Sequence, residues 1–484
     1  CRGALLADDM GLGKTIQLLT FIARCLEDQP NLEPVLVVAP VALLENWREE
    51  IDKFFRPGSM PATLLYGETL AQLRVPQAAI DEQLRQNGLT RLLRRDWRAN
   101  ARIVLTTYET LRDLEFSLAA ERWSIMVCDE AQKIKNPNAM VTRAAKKQNV
   151  RFKIACTGTP VENTLTDLWC LFDFIQPGFL GSLSEFGHLY RRPIEAETDD
   201  DKERIEELRA KISLQLLRRT KAEVAKDLPA KLERCHKLGI SEMQLRHYGR
   251  VMAELKKAEG GCKHLEMIQV LRRVISDPFA FDVAEAERAP VEQILDHNPK
   301  MRWLIDVLRE IRGRQEKVIV FCEFRDLQRM IQRCIGRLLD VHADIVNGDT
   351  SASASDANSR QKRIRRFQEV PGFGVIVLSP LAVGFGVNIQ AANHVIHFSR
   401  TWNPAKEDQA TDRAYRIGQT RDVHVHYPIV SASNFKTFDE KLHELLTWKR
   451  SLSDDMLNGT GELRAADFGD IDELMTERMA AQAT

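Results

Sequence analysis

Residues 4–15 read ALLADDMGLGKT, and the types and spacing of these residues could hold a nucleoside triphosphate. Gly11 and Gly13 let the backbone curl so that consecutive N–H groups point at phosphate oxygens, and the helix predicted from about Lys14 adds the positive end of its dipole. Lys14 would reach the β- and γ-phosphates, and the Thr15 hydroxyl would hold Mg²⁺. The residues predicted to bind the nucleotide in this segment are Asp9, Met10, Gly11, Leu12, Gly13, Lys14 and Thr15.

Two carboxylates, Asp129 and Glu130, follow the apolar run from Ser124 to Cys128. A buried parallel strand delivers acidic residues to the carboxyl edge of its sheet in this way. Asp129 would bind Mg²⁺ through its water shell, and Glu130 would polarise the attacking water. The alternative is an acidic pair that caps the next helix. A phosphate-binding loop upstream favours the catalytic interpretation.

Short β-branched runs alternate with amphipathic stretches in two blocks, which predicts two parallel α/β sheets. The runs in the first block are VLVVAP, RIVLTTY, SIMVCDE and KIACTGT, and those in the second are KVIVFCEF, ADIVNGD, GVIVLSP, HVIHFS and VHVHYPIV.

Four ordered motifs resemble those of helicase superfamily two: DDMGLGKT, DEAQ, TGTPVENTLTDLW at 157–169, and QATDRAYRIGQ at 409–419. The connectors at 216–233 and 401–410 and the RIGQ ending resemble, more narrowly, DNA-translocating ATPases of the Swi/Snf (sucrose-non-fermenting) family. Asp8 stands where the general phosphate-loop pattern has Gly, and it is usual at that position in this family. DEAQ carries Gln132 where His is commoner, and Gln can still donate and accept hydrogen bonds.

The resemblance implies two tandem RecA-like lobes with ATP hydrolysed in the cleft between them, a helical insertion and C-terminal brace helices. The corresponding boundaries are 1–175, 176–300, 301–434 and 435–484. The inserted segment 70–101 is expected to form a helical protrusion. Because the chain begins at Cys1 directly before the first motif, we expect it to be a fragment that lacks the segment contacting adenine.

Arg413 and Arg416 are three residues apart, so on a helix both guanidinium groups would emerge on one face. The resemblance implies that they are arginine fingers that stabilise charge on the γ-phosphate, and that Gln409 and Asp412 couple the lobes. The alternative is a surface pair making helix salt bridges.

DNA contacts of a translocase should be sequence-independent, through backbone amides and small hydroxyls at strand ends. Gly384 and Gly386 stand out because a turn close to phosphate tolerates no side chain, and Gly386 and Asn388 are also predicted to contact the nucleotide. The predicted DNA-binding residues are Pro40, Trp47, Thr106, Thr107, Tyr108, Phe324, Arg325, Ser379, Gly384 and Trp402.

Lys and Arg together number 69, as do Asp and Glu, so DNA binding would depend on local patches. No apolar run approaches a membrane span and no signal peptide is visible, which predicts a soluble, cytoplasmic protein. Nine cysteines are scattered without a Cys-x-x-Cys pair, and those within apolar strands, Cys128, Cys156 and Cys322, are expected to be reduced core thiols. No structural zinc is expected at Cys235 and His236 or at Cys262 and His264.

These features favour a DNA-stimulated ATPase that uses ATP and Mg²⁺ and translocates on double-stranded DNA, alone or with protein partners in a larger complex. The alternatives are a strand-separating helicase, one acting on RNA, or an inactive ATP-binding scaffold. The sequence from Lys135 to Pro137 resembles bacterial or archaeal relatives, some of which serve in anti-phage systems such as Zorya or DISARM.

Overall fold

The computed structural model describes residues 2–82, 86, 91–161, 164–192, 201–257, 261–280, 287–350, 358–380 and 388–453. The described residues fold as two compact units, the first ending at Lys226 and the second running from Asp227 to Leu452. Gly384, Gly386, residues 162–163 of the third motif and the tail from 454 onward lie outside the described residues.

In the described part of the first unit, seven strands form one parallel sheet in the order β3-β4-β2-β5-β6-β1-β7. Val, Ile and Leu side chains on both faces of the central strands are buried, as expected of a sheet covered by helices on both sides. The strands are β1 Gly3–Leu6, β2 Val35–Val38, β3 Ala62–Leu65, β4 Ile103–Thr106, β5 Trp123–Asp129, β6 Val150–Cys156 and β7 Leu216–Leu217.

The helices described in this unit alternate with its strands through β6 and follow as a group after it. They are α1 Lys14–Asp28, α2 Val41–Phe54, α3 Gly67–Leu73, α4 Tyr108–Asp113, α5 Glu115–Ala119, α6 Met140–Lys146, α7 Leu165–Ile175, α8 Leu183–Phe186, α9 Asp201–Ile212 and α10 Lys221–Val224. Short 3₁₀ turns at Gln77–Ala79, Ala131–Ile134 and Ser213–Gln215 and a π turn at Gly187–Arg191 complete the unit.

Six strands among the described residues of the second unit form another parallel sheet, in the order β10-β11-β9-β12-β13-β8. The strands are β8 Lys231–Gly239, β9 Lys317–Phe321, β10 Asp344–Val346, β11 Gly374–Leu378, β12 His394–His397 and β13 Val423–Ser431. The helices described with them are α11 Glu242–Lys257, α12 Gly261–Ser276, α13 Val291–His297, α14 Pro299–Gly313, α15 Arg325–Leu339, α16 Arg360–Glu369, α17 Pro404–Thr411 and α18 Phe438–Ser453.

All the strands predicted in the two blocks are formed, which confirms two parallel α/β units. Where it is described, the segment 176–300 is mostly helical, but it also contributes β7 to the first sheet, beside β1, and β8 to the second, beside β13. Leu232, Cys235 and Leu238 are spaced by three, as on a helix, and pairing with β13 overrides that local pattern.

The inserted segment 70–101 is not a protrusion where it is described. Its residues Leu93, Trp97 and Ala101 are buried in the core of the first unit. The Trp97 ring lies 6.3 Å from the ring of Trp123. Burial of such a large aromatic side chain stabilises the fold, so the segment packs inward.

Across the residues that the structure describes, every helix is too short or too polar to cross a lipid bilayer. The cysteines predicted to be core thiols, Cys128, Cys156 and Cys322, are free and buried. Cys235 is exposed and free, and its neighbour His236 shares a hydrogen bond of 3.1 Å with His426.

Candidate nucleotide site

The phosphate-binding loop joins β1 to α1. Gly11 and Gly13 adopt left-handed backbone conformations, with φ of 85° and 75°, which side-chain-bearing residues rarely adopt. No side chain caps the N-terminus of α1, so the amides of its first turn are available to an anion. The Lys14 ammonium donates to the backbone oxygens of Asp8, at 2.8 Å, and Asp9, at 3.2 Å. Phosphate oxygens are acceptors that could replace these carbonyls.

The order of strands brings the other motifs to the loop. β6 lies between β5 and β1, so the residues that follow these three strands meet at one edge of the sheet. Gly158, just after β6, lies against the loop: a Cβ atom there would be 3.1 Å from Met10 Cγ and 3.7 Å from Lys14 Nζ. A larger residue at this position would therefore press on the loop.

Asp129 ends β5 and is held by aromatic residues from neighbouring elements. The Trp47 indole N–H donates to Asp129 Oδ2 at 2.8 Å, and the Tyr108 hydroxyl donates to the Asp129 backbone oxygen at 2.7 Å. Burial raises the pKa of the Asp129 carboxyl, while the Trp47 hydrogen bond and the charge on Lys14 act in the opposite direction. The hydrogen bond from Trp47 thus fixes the orientation of the Asp129 carboxylate.

Glu130 has a left-handed backbone, with φ of 53° and ψ of 55°. A non-glycine residue in this region is uncommon, and such residues cluster at functional sites. Its carboxylate accepts a hydrogen bond of 2.8 Å from Gln132, whose amide oxygen accepts one of 2.9 Å from the Thr157 hydroxyl. Gln132 therefore links the second motif to the third within the first unit.

These residues fit a nucleotide with Mg²⁺. The Asp129 carboxylate and the Thr15 hydroxyl are hard oxygen donors of the kind that Mg²⁺ prefers. Lys14 supplies the cation and Gly11 and Gly13 the curvature that a triphosphate needs. Asp9, Met10 and Thr15 are half-buried and Leu12 is buried, so the loop is a part of the fold rather than a free surface turn.

Asp8 is buried and its carboxylate binds a residue from the far end of the first unit. Arg219 donates to it through its backbone N–H at 2.9 Å and through Nε and Nη2 at 3.2 Å and 2.6 Å. Gln17 on α1 adds a fourth hydrogen bond at 3.2 Å. The sequence indicated that Asp8 belonged to the loop but gave no sign of its partner, since 211 residues separate the pair.

In the second unit, the predicted helical placement of the two motif arginines is wrong. α17 ends at Thr411, and residues 412–418 form turns. The N–H groups of Arg413 and Ala414 bond to the oxygens of Ala410 and Thr411, three residues back, so tight turns replace the α-helix here. A backbone hydrogen bond of 2.9 Å from Ile389 N–H to the Arg413 oxygen ties this stretch to another loop. Arg413 is buried, and Arg416 and Gln409 are half-buried.

The helix that precedes these arginines is anchored by a buried ion pair. Arg400 and Glu407 are fully buried and meet through two hydrogen bonds of 2.6 Å and 2.9 Å. Arg450 adds a further bond of 2.8 Å to Glu407, and the Arg400 guanidinium lies 4.3 Å from the centre of the Tyr427 ring. Burial opposes charge on Glu407, but the arginines outweigh it and hold the pKa of this carboxyl far below its usual range.

Four of the five DNA contacts predicted in the first unit do not present their side chains to solvent. Trp47 and Tyr108 are committed to Asp129, as described above. Thr106 donates to the Leu65 oxygen at 3.1 Å, and Thr107 caps α4 by accepting the Thr110 N–H at 3.0 Å. Their polar side-chain atoms already serve the fold, so contact of these residues with DNA through backbone groups stays a prediction.

Pro40, the fifth of these residues, is half-buried at the start of α2. In the second unit Arg325 is exposed and pairs with Asp349 at 2.9 Å, and Asn388 is exposed. Phe324 and Trp402 are half-buried and both lie against the Arg272 guanidinium, whereas Ser379 is buried.

With this geometry established, comparison with known proteins identifies the class. Residues 1–280 match the model of the SNF2-related domain, and residues 299–418 match that of the helicase conserved C-terminal domain. Since the first match covers more than half of the chain, the chain belongs to the SNF2 family, which confirms the resemblance of its motifs.

Two curated bacterial proteins resemble most of the chain. Zorya protein ZorD of Escherichia coli O139:H28 is 52% identical over 477 residues, covering 96% of this chain and 44% of that protein. The protein YwqA of Bacillus subtilis is 34% identical over 492 residues, covering 99% and 49% respectively. The chain thus spans about half the length of these relatives.

The SWI2/SNF2 ATPase core of Sulfolobus solfataricus in complex with dsDNA is a solved structure similar to the chain. It is 32% identical, with a TM-score of 0.41, and the match covers 94% of this chain and 88% of that one.

Proposed function

We propose that this chain is an ATP-driven motor that translocates on double-stranded DNA. One observation carries the proposal: the loop, the acidic pair and the third motif meet at one edge of the first sheet, with all their reactive side chains present. A scaffold that had lost catalysis would not need Asp129 and Glu130 to be held by Trp47, Tyr108 and Gln132.

Lys14 binds the triphosphate by moving its ammonium from the carbonyls of Asp8 and Asp9 to the β- and γ-phosphate oxygens. Thr15 and Asp129 would hold Mg²⁺, which would neutralise charge on the phosphates when bound. Trp47 keeps the Asp129 carboxylate oriented during this exchange, and Tyr108 holds the Asp129 backbone.

Glu130 orients and polarises the attacking water. Gln132 donates a hydrogen bond to the Glu130 carboxylate and so orients it to accept a proton or a hydrogen bond from the water. The Thr157 hydroxyl fixes the Gln132 amide, which makes the third motif part of the hydrolytic apparatus.

Arg413 and Arg416 supply the cationic charge that the γ-phosphate needs in the transition state, as their motif implies. Gln409, on the anchored helix α17, and Asp412, just after it, contribute to the coupling between nucleotide and motor. The roles of the arginines rest on the motif, and steady-state turnover of variants at Arg413 and Arg416 tests them.

Double-stranded DNA is the proposed track because the connectors at 216–233 and 401–410 resemble those of duplex translocases. Arg325 and Pro40 keep some exposed surface and remain candidates for touching the DNA backbone. Since the net charge is zero, such contacts act locally and should weaken with salt.

A defence role is proposed from the relatives. The 52% identity to Zorya protein ZorD supports a bacterial anti-phage motor that works with other proteins in the cytosol. In the bacterium that carries the gene, Glu130→Gln in the full-length protein should lower protection against phage without lowering the amount of protein. Unchanged protection would contradict the role.

The test of the motor is ATP turnover of the full chain with double-stranded DNA, single-stranded DNA or RNA. Duplex DNA should stimulate most, and stimulation should fall as salt rises. Greater stimulation by single strands or RNA would favour the helicase alternatives, and turnover that no nucleic acid changes would contradict the motor.

A further inference from the structure

The segment 216–224 is the first part of the 216–233 connector, and from here on it alone is called the connector. It lies alongside the end of β1 and the start of the phosphate loop in the first unit. β7 pairs with β1, and the ladder continues past both strands: Ala7 N–H donates to the Leu217 oxygen at 2.7 Å, and Asp9 N–H donates to the Arg219 oxygen at 3.0 Å. The second unit begins at Asp227, shortly after the connector ends. The chain that leads to the second unit is therefore bound to the loop first.

Side chains of the loop strengthen this attachment. The Asp8 carboxylate accepts three hydrogen bonds from Arg219, and the Asp9 carboxylate accepts the Lys221 N–H at 2.9 Å. Arg219 Nη2 also donates to Gln17 Oε1 on α1 at 2.6 Å. Asp8 is 0% exposed, so breaking this pair would strand a buried carboxylate.

Burial alone would raise the pKa of Asp8, yet the hydrogen bonds from Arg219 and Gln17 and the charge of Arg219 hold it below its usual range. The carboxylate is thus ionised and bound. A two-point guanidinium pair of this kind also fixes direction, since both nitrogens must face both oxygens.

The same two aspartates face the nucleotide through their backbone. The carbonyls of Asp8 and Asp9 accept the Lys14 ammonium, the group that would bind phosphate. Asp8 and Asp9 therefore hold the connector with their carboxylates and Lys14 with their carbonyls. When the Lys14 ammonium moves to a phosphate, the backbone oxygens of Asp8 and Asp9 lose the hydrogen-bond donor that they share.

We propose that Asp8 and Asp9, with Arg219 and the Lys221 amide, form a relay that couples nucleotide binding at Lys14 to the connector. The inference rests on the proposed nucleotide site and adds to it a positioning role for Arg219. By linkage, if nucleotide orders the connector, the clamped connector must tighten nucleotide binding by the same factor.

The relay explains why the loop carries Asp8 where the general pattern has glycine. Glycine would satisfy the backbone curve but could not bind Arg219. The relay also gives the connector a function, although the connector takes no part in the hydrolytic step itself.

Hydrogen exchange of the full chain, with and without a non-hydrolysable ATP analogue and Mg²⁺, tests the relay. The analogue should slow exchange across residues 216–224, with strands β2 and β4 as internal references. If the wild-type chain binds the analogue but exchange in the connector does not respond, the relay is contradicted, whatever any variant does.

Arg219→Ala should weaken binding of the analogue by about 5-fold or more and abolish the exchange response of the connector. Arg219→Lys, which keeps the charge but loses the two-point geometry, should lie in between. Arg218→Ala is the matched control: it removes the same charge one residue away, and its Nε has no hydrogen-bond partner among the described residues. It should change affinity by less than about 2-fold.

If Arg219→Ala binds the analogue as tightly as wild type and keeps the exchange response, the relay fails while the nucleotide site stands. If the wild-type chain does not bind the analogue, or Lys14→Ala does not weaken binding, the proposed nucleotide site itself fails. A variant with lowered melting temperature is compared through the exchange response alone, because a merely structural loss would speed exchange equally with and without the analogue.

Discussion

The two units build parallel sheets of the same kind but use their polar side chains differently. In the first, Lys14 donates to two backbone carbonyls that a phosphate can replace, and the Glu130 carboxylate accepts a hydrogen bond from the Gln132 amide. In the second, Arg400 and Glu407 are paired twice and fully buried. The first arrangement leaves its charges able to change partners, whereas the second fixes a helix in place.

The same contrast appears in the histidines. His188, which is exposed, is the only histidine in the first unit. In the second unit His394 lies between the Glu316 carboxylate, at 2.8 Å, and His426, at 3.3 Å. Glu316, His394 and His426 therefore form a hydrogen-bonded chain inside the second unit, which suits support rather than chemistry.

The largest effect should come from the segment of the second unit to which we assign chemistry. Arg416→Ala should lower ATP turnover by about 10³-fold, and Arg413→Ala by less, with ATP affinity nearly unchanged. Steady-state turnover and equilibrium binding of ATP check this. Arg421→Ala, an exposed arginine just beyond the motif, is the control and should turn over normally; an equal loss there would show that any nearby charge matters.

Glu130→Gln should bind ATP but hydrolyse it at least about 10²-fold more slowly, since a positioned base contributes that much. Glu316→Gln is the matched change in the second unit, because it also removes a carboxylate charge while keeping shape. It should affect stability but not turnover per folded molecule. Normal turnover in Glu130→Gln would remove Glu130 from the mechanism.

Trp47→Phe should raise the Mg²⁺ concentration needed for half-maximal turnover, and for half-maximal thermal stabilisation by nucleotide, by about 10-fold. The reason is that Asp129 Oδ2 loses the indole N–H that orients it. Trp123→Phe is the control, since Trp123 is also buried and donates to the Leu118 oxygen at 2.8 Å. It should lower stability without changing the Mg²⁺ requirement; equal shifts in both variants would refute the positioning of Asp129.

Acid should weaken the second unit before the first. Burial lowers the pKa of His397 to about 4 and, helped by charge on neighbouring histidines, that of His426 to about 3. Below the ordinary pKa of about 6.5 the unfolded chain binds protons that the folded unit does not, so stability falls as pH drops from there toward about 4.

Hydrogen exchange at pH 7.5 and pH 5 measures this effect, with strands β9 and β12 expected to lose protection before β2 and β5. The charged groups near these histidines include Glu316, Arg234 and Arg314, and Glu316 acts against the trend by favouring protonated His394. Earlier loss in the first unit would contradict the contrast between the two.

The features that depend on residues close together in the sequence were predicted from the sequence. The β-branched runs identified the central strands because buried parallel strands are continuously apolar, and the loop followed from Gly11, Gly13 and Lys14. What failed depends on distant parts of the chain. Trp47 meets Asp129 only because β2 and β5 are neighbours in the sheet, and nothing in either segment shows that order.

The end of α17 illustrates the same limit. The sequence QATDRAY continues a helical pattern past Thr411, with no glycine or proline to stop it before Gly418. Tight turns follow Thr411 instead, and the bond from Ile389 N–H to the Arg413 oxygen ties them to an earlier loop. The partnership of Asp8 with Arg219 was likewise invisible, because a residue type alone does not name a partner across the chain.

Displacement of a third strand from a DNA triplex tests the central claim, translocation on duplex DNA, most directly. With ATP, the full chain should release a labelled third strand while the underlying duplex stays paired, and Glu130→Gln should not. Duplex opening without third-strand release, or ATP turnover on the triplex without any release, would contradict the account.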